Sequence, residues 1–203
     1  MTEPLFIKVC GLRTEQDVDT AIEEGADAIG FVFAESPRRI DTTLALKLAR
    51  RTPEHVLTVG VFRNQPLEEV RSLTAGSGIR GIQLHGQEGP DYYEALSREG
   101  RTLIRGTAYC EPAPRCGEFG EDILLLDAPI PGAGIAWDWT KKRSDSPREQ
   151  WLLAGGLTPK NVQDAVRAVQ PWGVDVSSGV EKTRGVKDPG LIASFIRAAR
   201  SAI

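Results

Sequence analysis

Two residues with acid–base side chains follow short apolar runs of the sequence. Cys10 ends the run Leu5–Cys10, and Asp127 comes directly after Leu124-Leu125-Leu126. A polar residue at the end of a buried strand lies at the strand's tip, where its side chain can meet a ligand. The pattern predicts a base and an acid that transfer protons to and from a small molecule.

Glycine-containing turns after two further apolar runs are typical of phosphate-binding loops. The first turn, Gly155-Gly156, precedes Thr158-Pro159, a pair suited to the N-cap and first position of a helix. The second, Ser177-Ser178-Gly179, offers hydroxyls and backbone N–H groups. Either turn alone is equally well explained as an ordinary tight turn, but the two together favour an anion site. The residues that we expect to bind a phosphate are Gly155, Gly156, Ser178 and Gly179.

Both acid–base assignments have a plainer alternative. To act as a base, Cys10 must be a thiolate, so its pKa must fall from about 8.5 with the help of nearby positive charge. Burial of Asp127 would favour the protonated carboxyl and let it donate a proton near neutral pH. The alternatives are a small buried apolar residue for Cys10 and a turn-capping role for Asp127.

Other polar residues follow the same set of predicted strands. Arg38 can hold a carboxylate through two hydrogen bonds, whereas the adjacent Arg39 is expected to be solvated. His85 either shapes the pocket or satisfies backbone groups. Asp175 either binds substrate hydroxyls or forms a structural ion pair, and Asn64 is a weaker candidate.

Composition restricts the possible classes of function. The chain has 203 residues, 40% of them apolar, and a net charge of -3, which gives no general attraction to nucleic acid or anionic membranes. No apolar run approaches a membrane span and no signal peptide is expected, so we predict a cytoplasmic protein. Three cysteines argue against a disulfide framework, and no metal site is expected. We expect a monomer that binds a phosphorylated small molecule.

Short apolar runs alternate with amphipathic stretches along the whole chain. A closed (β/α)₈ barrel, a single domain over residues 1–203, is favoured over an open doubly wound sheet, because it brings the ends of all strands into one ring. The predicted strands are Leu5–Cys10, Ala28–Phe33, Leu57–Phe62, Gly81–Leu84, Thr102–Gly106, Ile123–Leu126, Trp151–Ala154 and Val174–Val176. The predicted helices are Thr14–Glu24, Thr42–Arg51, Pro66–Ala75, Pro90–Arg98, Pro159–Val169 and Pro189–Ala199, with weaker patterns in Tyr109–Glu121 and Ala128–Gln150.

Six segments have the order and spacing of a known family: Lys8–Leu12, Ser36–Arg38, Gly60–Phe62, Gln83–Gly86, Leu153–Pro159 and Gly173–Glu181. Together they resemble the phosphoribosylanthranilate isomerases of tryptophan biosynthesis. The resemblance runs from residue 7 to about residue 190.

The resemblance implies a reaction and a role for each candidate residue. The reaction is an Amadori rearrangement, in which N-(5-phosphoribosyl)anthranilate, an aminoaldose, becomes the 1-deoxyribulose 5-phosphate derivative, at the third step from chorismate. By this likeness Asp127 protonates the ribose ring oxygen and Cys10 removes the proton from C2. Arg38 binds the anthranilate carboxylate, Gly156 and the Ser178-Gly179 region bind the phosphate, and Asp175 lies near the ribose hydroxyls. No metal or organic cofactor is implied.

The sequence departs from the family pattern after the sixth strand. Residues 131–139 have Ala133 where the family usually has threonine, and Gly132 and Gly134 make this segment a candidate lid. Two alternatives remain open: an isomerase of the histidine pathway, alone or bifunctional, and a non-catalytic sensor of phosphorylated metabolites. The histidine-pathway barrels have aspartate at the position of Cys10, and a sensor would need neither Cys10 nor Asp127.

Overall fold

A computed structural model describes residues 4–110, 113–127 and 150–202. Of the weak helix pattern over Ala128–Gln150, residues 128–149, which include the candidate lid at Gly132 and Gly134, lie outside the described residues. None of the described helices is both long enough and apolar enough to cross a membrane.

Eight parallel strands form a closed barrel, and each strand is hydrogen-bonded to the next along the chain and the eighth to the first. This confirms the predicted fold class and all eight strands, with ends shifted by at most two residues. The barrel strands β1 to β8 are Phe6–Cys10, Ala28–Val32, Leu57–Phe62, Gly81–Leu84, Thr102–Ala108, Ile123–Asp127, Trp151–Leu153 and Gly173–Val176.

A short hairpin after β8 was not predicted from the sequence. A 3-10 helix, Ser178–Val180, leads into β9 (Glu181–Thr183), which pairs antiparallel with β10 (Val186–Lys187). Gly185, with φ of +81°, makes the turn between the two strands possible. This hairpin carries two residues of the candidate site described below.

The described helices pack outside the barrel, and most begin where the sequence predicts. Thr14 caps α1 (Glu15–Glu23), since its Oγ1 accepts a hydrogen bond from Asp17 N at 3.1 Å, and Pro90 and Pro189 occupy the first turns of α4 (Pro90–Ser97) and α6 (Pro189–Arg200). Residues 113–122 contain no helix. Helices α1 to α6 are Glu15–Glu23, Thr42–Ala49, Leu67–Ser77, Pro90–Ser97, Val162–Val169 and Pro189–Arg200.

Alternate residues of the strands face two different cores. In β1, Ile7 and Val9 belong to the large apolar layer between strands and helices. The side chains on the other face of the strands, among them Leu125 of β6 and Leu152 of β7, fill the barrel interior. Because both faces are buried, the strands show no simple polar–apolar alternation, as is usual for parallel sheets.

Candidate active site

Cys10 ends β1 at the C-terminal mouth of the barrel, as predicted, and is buried. Its thiol lies against Gly30 of the neighbouring strand β2. A Cβ atom added at Gly30 would lie 2.8 Å from the Cys10 Sγ, so any side chain at this position would displace the thiol. The absence of a side chain at Gly30 therefore leaves the space that the Cys10 thiol occupies at the barrel mouth.

The electrostatic environment of Cys10 only partly matches the prediction. Burial raises the pKa of the Cys10 thiol, and the Asp175 carboxylate adds to this, whereas the Lys8 and Lys187 ammonium groups lower it. The expected cations are present, but the net direction is upward, so the expectation of a lowered pKa is wrong for the protein without a ligand. Desolvation outweighs the two cations at this depth in the barrel.

Asp175 pairs with Lys8 inside the barrel. The two residues are direct register partners of β8 and β1, and Lys8 Nζ lies 2.6 Å from Asp175 Oδ1. The Lys8 side chain is 0% exposed, so its ammonium group has no contact with solvent. Of the two interpretations of Asp175, the structural ion pair is therefore confirmed, and binding of substrate hydroxyls stays a prediction.

Asp127 ends β6 at the same mouth and is 9% exposed. Its Oδ2 lies 3.5 Å from His85 Nε2, and the other ring nitrogen of His85 lies 3.1 Å from Gln83 Nε2. The structure thus brings together two residues for which the sequence predicted separate roles. His85 is positioned to orient the Asp127 carboxyl group.

The loop that carries His85 is fixed by Asn64 and Glu88. Glu88 accepts hydrogen bonds from the backbone N–H groups of Asn64 (2.6 Å) and Gly86 (2.8 Å), and Asn64 Oδ1 accepts one from Gln87 N at 2.7 Å. Asn64 has a φ of +57°, in the left-handed region that asparagine tolerates better than most residues. Asn64 therefore joins the loops after β3 and β4.

Arg38 is held by an acidic residue that sequence reasoning missed. Its Nε and Nη2 donate to Glu181 Oε1 and Oε2 at 2.5 and 3.0 Å, in the two-point geometry typical of arginine and carboxylate. Among the described residues, none accepts a hydrogen bond from Arg38 Nη1. A Cβ atom added at Gly11 would lie 2.8 Å from Arg38 Cδ, so the stem of the arginine passes over the residue that follows Cys10.

Glu181 is also bound by a second cation, Lys187. Lys187 Nζ lies 3.0 Å from Glu181 Oε1, and Gly185 N donates to Glu181 Oε2 at 2.9 Å. Burial alone would raise the pKa of Glu181, but hydrogen bonds from Arg38, Gly185 and Lys187 lower it to about 2. Glycine between two short polar segments is a hairpin signal that could have drawn attention to this region.

The two predicted phosphate loops lie in contact with each other. Gly155 and Gly156 have positive φ values of 85° and 68°. A Cβ atom at Gly179 would lie 1.8 Å from the Leu157 carbonyl oxygen, so glycine is required there by the close approach of the two backbones. None of the described residues accepts a hydrogen bond from the backbone N–H groups of Gly156, Ser178 or Gly179, which gives this corner several free donors.

The helix after the first phosphate loop begins later than predicted. Thr158 is not its N-cap, because residues 159–161 form a turn and α5 begins at Val162. Asn161 closes this turn: its Oδ1 accepts from Thr158 N at 2.7 Å, and its Nδ2 donates to the Gly156 carbonyl at 3.0 Å. The amide side chain competes with the backbone for these groups and delays the helix.

The order of strands places the site residues along one arc of the barrel mouth. Asp127 ends β6, the phosphate loops follow β7 and β8, Cys10 ends β1, and Arg38 follows β2. A ligand whose phosphate binds at the loops after β7 and β8 would therefore lie between the acid and the base. Among the described residues, no group of three or more His, Cys, Asp or Glu side chains could hold a metal ion.

A separate depression of about 700 Å³ lies at the other end of the barrel. Residues at the N-terminal ends of the strands line it, among them Phe6 and Leu57, together with Trp172, whose ring stacks on Phe6 at 4.6 Å. None of the predicted site residues contributes to it. In (β/α)₈ enzymes the chemistry takes place at the C-terminal ends of the strands, so this depression is not the active site.

Comparison with known proteins identifies the family. The family model for N-(5'phosphoribosyl)anthranilate (PRA) isomerase matches residues 7–198. The chain belongs to this family. An N-(5'-phosphoribosyl)anthranilate isomerase of Desulforudis audaxviator is 42% identical over 203 residues, with 98% of this chain and 99% of that protein covered. The corresponding isomerase of Dechloromonas aromatica is also 42% identical, with 97% and 96% covered.

Solved structures of isomerases of this family have the same fold. The crystal structure of TrpF from Jonesia denitrificans matches with a TM-score of 0.89 at 41% identity, covering 98% of both chains. Another isomerase was solved in complex with reduced 1-(o-carboxyphenylamino)-1-deoxyribulose 5-phosphate, and it matches with a TM-score of 0.83 at 31% identity over 97% of this chain and 99% of that one.

Proposed function

We propose that this chain catalyses the isomerisation for which its family is named, with Asp127 as general acid and Cys10 as general base. The substrate is N-(5'-phosphoribosyl)anthranilate and the product is 1-(2-carboxyphenylamino)-1-deoxyribulose 5-phosphate, a step of tryptophan biosynthesis. The observation that carries the proposal is the arc of the barrel mouth on which Asp127, the loops after β7 and β8, and Cys10 follow one another. The histidine-pathway alternative is not favoured, since the two relatives compared above, which cover 98% and 97% of this chain, are N-(5'-phosphoribosyl)anthranilate isomerases.

The acid acts first in this reaction. Asp127 donates a proton to the ribose ring oxygen, the bond from that oxygen to C1 breaks, and the anthranilate nitrogen supplies the electron pair that forms a Schiff base. His85, 3.5 Å from Asp127 Oδ2, orients the carboxyl group. Such a positioned acid contributes about 10²- to 10⁴-fold to the rate.

The base acts on the adjacent carbon. Cys10, as thiolate, removes the proton from C2, and the electron pair of the C–H bond moves toward the Schiff base to give an enolamine. The enolamine tautomerises to the ketone, with protonation at C1 and loss of the hydroxyl proton at C2, so substrate and product have the same atoms. The positive charges of Lys8 and Lys187 oppose the effect of burial on the pKa of Cys10, and they therefore reduce the free-energy cost of forming the thiolate.

Two anion sites hold the ends of the substrate. The phosphate accepts hydrogen bonds from the backbone N–H groups at Gly155-Gly156 and Ser178-Gly179, which have no other acceptor among the described residues. The anthranilate carboxylate binds the edge of Arg38 that includes Nη1, while Glu181 occupies the opposite edge. Asp175 is near the ribose hydroxyls and keeps Lys8 charged. No metal or organic cofactor takes part.

We also propose that residues 1–203 form one catalytic domain and that the protein acts as a cytoplasmic monomer. Binding to nucleic acid is not expected, because the net charge of -3 disfavours it. Light scattering of the purified protein at several concentrations tests the monomer directly, and a mass twice that of the chain would contradict it.

The decisive experiment follows the fluorescence of freshly prepared phosphoribosylanthranilate with wild-type protein and with Asp127→Asn. Rapid loss of fluorescence with wild type, and a rate about 10²- to 10⁴-fold lower with the variant, supports the reaction and the acid together. Equal rates in both proteins would retain the reaction and exclude Asp127 as the acid. No decay beyond the spontaneous rate would contradict the proposed function.

A further inference from the structure

Lys187 is a buried lysine at the end of the hairpin after β8, and it neither donates nor accepts a proton in the reaction proposed above. Its side chain is 1% exposed. The ammonium lies 2.7 Å from the Ser177 carbonyl oxygen, 3.3 Å from Ser177 Oγ and 3.0 Å from Glu181 Oε1. An ammonium has three N–H donors, so this set of oxygens accounts for all of its hydrogen bonds.

One of these contacts leads to the predicted carboxylate site. Glu181 Oε1 accepts from both Lys187 and Arg38 Nε, and Glu181 Oε2 accepts from Arg38 Nη2 at 3.0 Å. This two-point contact fixes the plane of the guanidinium group. Because Lys187 binds the same carboxylate oxygen of Glu181 as Arg38 Nε does, it helps to fix where the Arg38 guanidinium lies.

The other contacts lead to the predicted phosphate site. Ser177 directly precedes the Ser178-Gly179 turn, whose backbone packs against the Leu157 carbonyl of the loop after β7. The Lys187 ammonium holds the Ser177 carbonyl and thus the start of this turn. A single buried side chain therefore contacts the supports of both anion sites.

We propose that Lys187 is a positioning residue that keeps the guanidinium of Arg38 and the turn at Ser178-Gly179 at a fixed separation. The inference rests on the proposed function, since it takes the carboxylate and the phosphate of one substrate as the groups to be bound. A ligand with an anion at each end binds best when both sites are already at the correct distance, because less ordering remains to be done on binding. Loss of Lys187 should therefore weaken both ends together.

The test compares Lys187→Met with Lys182→Met, which removes an exposed lysine from the same hairpin. Steady-state kinetics gives KM and kcat for phosphoribosylanthranilate, and inhibition constants are measured for anthranilate, as a carboxylate probe, and for inorganic phosphate. We expect Lys187→Met to raise KM and both inhibition constants by roughly 10- to 100-fold, the usual effect of losing hydrogen bonds to a charged group. Lys182→Met should leave all of these values unchanged.

Several results would overturn the inference. Unchanged KM and inhibition constants in folded Lys187→Met protein would do so, as would a fall in kcat alone or weaker binding of only one probe. If Lys187→Met does not fold, Lys187→Arg and Glu181→Gln replace it: the arginine should retain binding of both probes, and the glutamine should weaken anthranilate more than phosphate. If wild type does not turn over the substrate, the proposed function fails, and calorimetry with the two probes still decides the inference.

Discussion

The His85 imidazole lies 3.5 Å from the Asp127 carboxylate across the strand that separates them. His85 follows β4 and Asp127 ends β6, so β5 runs between the two. At this point β5 has Gly106, and a Cβ atom there would lie 2.6 Å from His85 Nδ1. The contact between the histidine and the aspartate therefore depends on a glycine in the intervening strand.

Gly106→Ala should displace His85 and leave Asp127 without its imidazole partner. We expect kcat to fall by roughly 10- to 100-fold, the usual effect of a misplaced catalytic group. Gly89→Ala is the matched control, since a Cβ atom at Gly89 would meet nothing within 4 Å. An unchanged kcat in Gly106→Ala protein would show that His85 does not orient the acid.

The pH dependence of alkylation should report the thiol of Cys10. Burial raises the pKa of Cys10, so only a small fraction is thiolate at neutral pH and the thiolate form increases as pH rises. In protein with alanine at Cys110 and Cys116, we expect the rate of reaction with iodoacetamide to increase by about tenfold for each pH unit above neutrality until the thiol is ionised. Cys10→Ala should abolish this reaction, and in otherwise wild-type protein it should lower kcat by about 10²- to 10⁴-fold. A pH-independent rate of alkylation would contradict the raised pKa.

Arg38→Ala should act on binding rather than on chemistry. If Arg38 holds the substrate carboxylate equally in the ground state and the transition state, KM rises by roughly 10- to 100-fold and kcat is retained. Arg39→Ala is the control, because Arg39 is exposed beside it and should show wild-type kinetics. A large loss of kcat at unchanged KM would mean that Arg38 has another role.

Breaking the pair between Lys8 and Asp175 should cost stability. Lys8→Met leaves a buried carboxylate without its cation, and we expect a loss of about 3–5 kcal/mol in the free energy of unfolding. The double variant Lys8→Met with Asp175→Leu should recover much of this loss, because no uncompensated charge remains. Urea unfolding of the three proteins measures both effects, and equal stability of wild type and Lys8→Met would contradict the expectation.

The contribution of this pair should be constant around neutral pH. Burial is the largest single influence and would lower the pKa of Lys8, but Asp175 and Cys10 together outweigh it and the pKa is raised. A lysine whose pKa is raised by folding stabilises the protein fully below its unfolded value of about 10.4, and the stabilisation is lost as pH rises through the folded value. Unfolding measured in urea between about pH 7 and about pH 9 should therefore show the same difference between wild type and Lys8→Met.

Gly179→Ala should disturb the phosphate site through a backbone clash. The new Cβ atom would lie 1.8 Å from the Leu157 carbonyl oxygen, so the two loops must separate. We expect a stability loss of about 1–3 kcal/mol and weaker inhibition by inorganic phosphate. Wild-type phosphate inhibition in this variant would place the phosphate elsewhere.

Much of the fold and part of the site followed from local sequence pattern. The apolar runs that end at Cys10 and Asp127 are strands of the barrel. Parallel strands that are buried on both faces have nearly continuous apolar sequences, so such runs could be recognised without the structure. The glycines at positions 155 and 156 identified a turn with positive φ values. The start of α5 was wrong by three residues, since the side chain of Asn161 captures groups that a helix would use.

Long-range contacts decided what the sequence alone did not. Arg38 and Glu181 are 143 residues apart, and they meet only because closing the barrel brings β8 beside β1, the strand next to β2. The direction in which the pKa of Cys10 shifts could also be known only from the fold, because the burial of the thiol depends on which residues surround it in space. Sequence by itself thus determined the reactive residue types and their strand ends, through local burial and turn preferences. Tertiary structure alone determined their partners, because ion pairs and desolvation depend on which strands become neighbours.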